Sequence, residues 1–195
     1  MKRRNLILGA SGLVAATAAG SLAEVKVPVG LPKKMPGVLE LPGKMVMLGK
    51  DLMGYLSLPM GKTSSPAVLV LMEAFGLNAN IKGVCDRLAK AGYAALAPDL
   101  YHGETFAYSD APKAIEKLKT IKDEQVVKEL ELGLKFLAGE KMVDQGKKVG
   151  VTGFCMGGRL VFLAAAAFPK QIGAGVAFYG GGIAADRIRL GGPVC

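Results

Sequence analysis

The residues from Val149 to Ala167 read VGVTGFCMGGRLVFLAAAA: a short run with strand character, a corner crowded with glycine, and an apolar stretch of helix formers. Cys155 stands at the corner in the pattern G-x-C-x-G, between Gly153 and Gly157. A strand that turns at once into a helix forces the corner residue into a strained backbone conformation and leaves no room for side chains beside it. Gly153, Gly157 and Gly158 supply that room. The helix start favours negative charge next to it, and its first N–H groups are free to face a reacting oxygen. An isolated cysteine is more often a buried thiol than a reagent. The strand, glycine and helix around Cys155 give it instead the surroundings of a nucleophile, with the N–H of Met156 as one donor to an oxyanion.

Working outward, the segments on either side alternate between strand and helix. MVML at 45–48 and LMGYLSL at 52–58 flank Gly49, Lys50 and Asp51 and predict a hairpin. PAVLVLME, 66–73, is a continuous apolar run of the kind a strand buried on both faces shows, and it ends at Glu73. Ile81, Val84, Cys85, Leu88 and Ala89 share one helical face, which Gly92 stops. YAALAP from Tyr93 is a strand leading into the loop DLYHG. Val126, Val127, Leu130, Leu134 and Leu137 form the buried face of a helix over 123–139. After the corner, the helix of 156–168 meets Pro169, and AGVAFYG at 174–180 is a further strand. This order predicts an α/β fold with a mostly parallel sheet and helices on both faces. In such sheets sites lie at the carboxyl ends of the strands, where Glu73, the Asp99–Gly103 loop and Cys155 all fall.

The 195 residues are about half apolar, enough for one sizeable core, and carry a formal charge of +9. The charge is spread: lysines alternate with acids along Lys113–Lys141, the pattern of a solvated helix face, so no nucleic-acid partner is expected. Residues 1–23 have a basic head with Arg3 and Arg4, a moderately apolar middle and small residues at Ser21 and Ala23. That is the architecture of a signal peptide, and the paired arginines fit the bacterial twin-arginine export route to the periplasm or exterior. The apolar middle is too short for a permanent membrane span. Residues 24–43 read as a Pro- and Gly-rich linker, and 44–195 as a partial α/β domain. The three cysteines include no C-x-x-C pair for a metal or redox site.

Four stretches resemble the dienelactone hydrolase family of α/β-hydrolases: VLVLMEAFGLNANI (68–81), GYAALAPDLYHG (92–103), VGVTGFCMGGRLVF (149–162) and AGVAFYGGGI (174–183). The resemblance implies an α/β-hydrolase fold and hydrolysis of an ester or lactone of a small carboxylic acid, with no metal or organic cofactor. It implies Cys155 as nucleophile, Glu73 as the partner of its thiol, and the N–H of Ala74 as a second oxyanion donor. A carboxylate beside a thiol can take its proton or hold it until substrate displaces it. Tyr101 and His102 in the DLYHG loop, and Arg159 on the first turn after the corner, are candidate substrate-binding residues. Arg159 has the alternative of facing a neighbouring strand.

The family's remaining pair, an acid and a histidine that follow the nucleophile in chain order, have no counterpart before the sequence ends at GGPVC. His102 precedes Cys155 on a different strand end, and Asp186 comes one strand too early. The expectation is a truncated or fragmentary hydrolase of impaired activity. The alternative is a non-catalytic binder on the same fold, or a decayed gene product. A dinucleotide-binding reading, on Gly180, Gly182 and Ala185, fails because that fingerprint belongs at the first strand–helix turn. A P-loop at Gly61-Lys62-Thr63 fails because Leu56 occupies the first glycine's place. Oligomeric state and substrate identity are not legible.

Overall fold

The computed structural model describes residues 43–183. The signal peptide, all but the last residue of the linker, Asp186 and Cys195 lie outside the described residues. The hairpin is present as β1 (Lys44–Met47) and β2 (Met53–Ser57), paired antiparallel. Then come β3 (Ala67–Leu71), α1 (Ala79–Lys90), β4 (Ala94–Pro98), α2 (Ala111–Lys119), α3 (Asp123–Gly139), β5 (Val149–Phe154), α4 (Met156–Ala167) and β6 (Ile172–Phe178). The six strands form one sheet in the order β1-β2-β4-β3-β5-β6, parallel from β4 through β6.

Register decides which helix covers which face. Leu56, Leu96, Leu69 and Val151 are successive partners across β2, β4, β3 and β5, so they share a face. A Cβ on Gly133 of α3 would touch Leu69 and Leu96, and one on Gly175 of β6 would touch Val161 of α4. Both α3 and α4 therefore lie on that face. Tyr55, one residue out of step with Leu56, points to the other face, where its hydroxyl reaches Asp86 of α1 at 3.1 Å. The central strands are buried on both sides, β4 along its whole length, which explains their unbroken apolar runs.

Local signals set the helix ends. Asn78 caps α1 by accepting from the N–H of Ile81 at 3.2 Å. At the other end the N–H of Gly92 bonds to Ala89 O and that of Tyr93 to Leu88 O, with Gly92 at φ 97°. That pair of bonds is a Schellman closure, which needs a left-handed residue at this position. The alternating charges of 113–141 read only as a solvated helix face and do not separate α2 from α3, although Pro112 marks a helix start and Ala111, Ala114, Ile115 and Leu118 recur at helical spacing; only Ala114 is buried.

The chain leaves β3 for β4 on one side and returns to β5 on the other. The carboxyl end of β3 is thus a switch point, where the connections diverge and a crevice opens.

Candidate active site

Leu71 and Gly153 are register partners at the ends of β3 and β5. Two residues further on, past the paired residues, come Glu73 and Cys155, so both stand at the carboxyl ends of neighbouring strands. Glu73 is 9% exposed, and Cys155 is half-buried.

Cys155 has φ 54° and ψ −116°, outside the conformations that ordinary residues occupy without cost. The glycines around it are sterically required. A Cβ on Gly153 would lie 2.2 Å from Gly157 O; one on Gly157, 2.2 Å from Leu71 O; one on Gly158, 2.4 Å from Phe178 O. All three clashes are with backbone, which has no side-chain freedom to give. The corner is tied to the neighbouring strand by the N–H of Cys155, which donates to Phe178 O at 3.0 Å. Met156 opens α4, so its N–H belongs to the first-turn donors that no intrahelical acceptor satisfies. In the turn after β3 the closing bond runs from Gly76 N–H to Glu73 O, leaving the N–H of Ala74 outside it.

Both oxygens of the Glu73 carboxylate accept tyrosine hydroxyls: Tyr108 donates to Oε2 at 3.0 Å and Tyr179 to Oε1 at 3.1 Å. Neither tyrosine was singled out by sequence, because they reach Glu73 from 35 and 106 residues away. Both phenols are held above the usual 10, by partial burial first and then, among the raising causes, by the bond to Glu73. Among the described residues the Cys155 thiol has no hydrogen-bond partner.

A cavity of about 610 Å³ opens beside the corner. Ile121, Lys122 and Asp123 line it from the α2–α3 connection, and Cys155, Met156 and Arg159 from α4. Arg159 is thus at the site, but its guanidinium is bound to Asp123 through Nη1 and Nη2 at 2.9 and 2.8 Å. Tyr101 is buried, and its hydroxyl meets Met156 Sδ at 3.8 Å. Its phenol is pushed up to about 12, by burial first and then by the nearby Cys155 sulfur and Glu104.

His102, expected at the pocket, does not line this cavity. Its ring bridges Asp51 O, through Nδ1 at 2.9 Å, and Glu129 Oε1, through Nε2 at 2.9 Å. Both nitrogens face acceptors, an arrangement that an imidazolium satisfies by donating twice. Glu129 lies on the buried face of α3 and also accepts from Gln125 at 2.6 Å. The reason for the departure is simple: a buried carboxylate needs a partner, and His102 is within reach.

Among the described residues no cluster of three or more His, Cys, Asp or Glu could hold a metal. No helix there is long and apolar enough to cross a membrane.

Comparison with known proteins agrees with this geometry. A provisionally named carboxymethylenebutenolidase of Aquifex aeolicus is 40% identical over 149 residues, covering 71% of this chain and 62% of that protein. A provisionally named dienelactone hydrolase structure from Klebsiella pneumoniae superposes with a TM-score of 0.64 at 33% identity, covering 71% of this chain and 60% of the other. A dienelactone hydrolase-like promiscuous phosphotriesterase from metagenomic libraries superposes at 0.60 with 30% identity, covering 72% of this chain and 59% of its own. The chain spans less than two thirds of the length of each. The description "Dienelactone hydrolase family" matches residues 52–190. On that match, and on the α/β-hydrolase sheet shared with these structures, the chain belongs to the dienelactone hydrolase family.

Proposed function

We propose that the protein hydrolyses an ester or lactone of a small carboxylic acid, with Cys155 as nucleophile. The observation that carries this reading is the backbone of Cys155, strained at φ 54° in a corner where Gly153, Gly157 and Gly158 admit no Cβ. Strain of this kind persists where the surroundings over-determine it, and it puts a side chain at the tip of a sharp turn. The deprotonated sulfur attacks the carbonyl carbon, and the N–H groups of Met156 and Ala74 hold the oxygen as it gains charge. The thiol has lost its proton to water, the bond to the alcohol oxygen breaks, the alkoxide takes a proton from water to leave as the alcohol, and a thioester remains. Water releases the acid. Glu73 tunes the thiol: a carboxylate free to take its S–H keeps the sulfur neutral, so the position of Glu73 sets whether the sulfur can attack.

Release of the acid needs water to be activated. The sequence holds one histidine, His102, and its ring nitrogens are spent on Asp51 and Glu129. With His102 held by these partners, acylation by these residues is expected to outpace deacylation. Stopped-flow mixing with p-nitrophenyl acetate tests both halves. The expected trace is a burst of about one nitrophenolate per chain followed by slow turnover, with the burst lost in Cys155→Ser. Cys85 does not interfere: it is buried and its thiol is pushed up to about 12, chiefly by desolvation. Sustained fast turnover that disappears in His102→Ala would overturn the reading of the histidine, and absence of any burst would overturn that of the cysteine.

Export of the protein is part of the same proposal and is supported by the Arg3-Arg4 segment and its apolar continuation. Mass spectrometry of the mature N-terminus in a native host checks it; a retained Met1 argues against export.

A further inference from the structure

We propose that Tyr108 and Tyr179 are positioning residues that together clamp the Glu73 carboxylate and keep it from closing onto the Cys155 sulfur. The proposal rests on the nucleophile reading of Cys155 and adds to it the device that sets the state of its neighbour.

Three segments converge to make the clamp. Glu73 follows β3, Tyr108 lies in the connection after β4, and Tyr179 follows β6. Each carboxylate oxygen takes one phenol hydroxyl, at 3.0 and 3.1 Å, so both ends of the group are held. Hydrogen bonds to an ionised acceptor are the stronger kind. The rings are braced as well. Tyr108 packs on Phe75 with centroids 4.5 Å apart, and its hydroxyl accepts from Asn78 Nδ2 at 3.5 Å. Tyr179 packs against Phe154 at 6.2 Å, and Phe154 is itself stacked on Phe178 at 5.0 Å.

Tyr179 shows in addition a backbone φ of 41°, a left-handed conformation that costs a bulky residue on the order of 1 kcal/mol or more. The fold accepts that conformation, and it delivers the phenol to Glu73. Both rings stand at the surface, 57% and 68% exposed, so an arriving substrate can reach them.

The consequence for Cys155 follows from what a loose carboxylate would do. Released beside the thiol, it would accept the S–H, favour the neutral sulfur and repel the anionic one. Held by two phenols, it leaves the thiol without a partner, as observed. The tyrosines thereby keep the sulfur available to an electrophile.

The test reads the thiol directly, by the rate of alkylation with iodoacetamide at neutral pH in a Cys195→Ser background. Cys155→Ser defines the background rate. Tyr108→Phe with Tyr179→Phe keeps both rings and removes both hydroxyls. It is expected to slow alkylation of Cys155 by roughly three- to tenfold. In a Glu73→Gln background the same two substitutions are expected to have no effect, since there is then no carboxylate to restrain. Phenol absorbance gives a second, independent reading: Glu73→Gln should let two tyrosines ionise at lower pH than in the parent. Alkylation at the parent rate in the double phenylalanine variant overturns the clamp, as does slowing that persists without Glu73, or a tyrosine titration indifferent to Glu73→Gln. A missing acylation burst from an ester would instead tell against hydrolysis, which none of these measurements uses.

Discussion

The guanidinium of Arg159 forks onto the carboxylate of Asp123, nitrogen to oxygen at 2.9 and 2.8 Å, across 36 residues of chain. Arg159 stands on the first turn of α4 and Asp123 opens α3, so the pair locks the start of one helix to the start of the other beside the cavity of Cys155. The acidic residue at the head of α3 also complements that helix's dipole.

This arrangement predicts a structural role for Arg159. The two side chains are 26% and 19% exposed, so screening limits what the pair contributes. Arg159→Met and Asp123→Asn should each lower the unfolding free energy by about 1 kcal/mol, and the double variant should lose less than the sum. Urea denaturation measures it. An unchanged unfolding curve together with a raised KM for esters would move Arg159 to substrate binding.

The corner glycines predict a sharp contrast between positions. Gly157→Ala drives a Cβ to within 2.2 Å of Leu71 O and 2.7 Å of Met72 O. It should cost on the order of 3 kcal/mol or more, or displace α4 from β3. Gly139→Ala, at the last position of α3 with nothing within 4 Å of the added carbon, should be neutral or stabilising by up to about 1 kcal/mol. Thermal denaturation of the two variants decides the point.

His102 predicts a pH dependence of stability near neutrality. Its folded-state pKa is raised above 6.5, first by the bond to Asp51 O and then by the charge and hydrogen bond of Glu129, with Asp99 adding a smaller attraction. A raised pKa means that the folded protein binds the proton more tightly than the unfolded chain. The stabilisation is therefore complete below about 6.5 and is lost as pH rises through the folded value. Denaturant midpoints measured from pH 6 to 9 should fall for the parent and stay flatter for His102→Gln. Parallel curves would remove the histidine from the account.

A half-buried phenol and a buried one predict a second loss at alkaline pH. Tyr55 is held at about 12 by desolvation and then by Asp86, and Tyr101 at about 12 by burial and then by Cys155. Since the unfolded chain releases these protons near 10, stability should drop between pH 10 and 12. Tyr55→Phe should shallow that drop. Absorbance titration of the phenols, followed alongside unfolding, reads both the late ionisation and its cost.

Much of the fold was legible because its signals are local. β3 and β4 read as strands from unbroken apolar runs, α1 and α3 from helical spacing, and the closure of α1 from Gly92. α2 was not separated from α3 although its apolar residues Ala111, Ala114, Ile115 and Leu118 stand at helical spacing, because the alternating charges of 113–141 run on past its end. The corner at Cys155 was legible for the same reason as the strands: the glycines that admit the turn stand within three residues of it. The place of Glu73 at a strand end was legible, but its role as the thiol's partner came only through resemblance, since a glutamate there is ordinarily a surface charge.

What the sequence determined by itself is the order of elements, the parallel sheet and the strained corner, since dihedral preference and hydrophobic spacing act over a few residues. Tertiary structure alone decided the partners of the charges. The pairing of β3 with β5 set Glu73 and Cys155 at neighbouring strand ends, Tyr108 and Tyr179 closed on that carboxylate from 35 and 106 residues away, and Glu129 drew His102 from 27. A buried or half-buried charge must find a counterpart, and which group answers depends on where the chain has been folded, a fact that no local pattern holds.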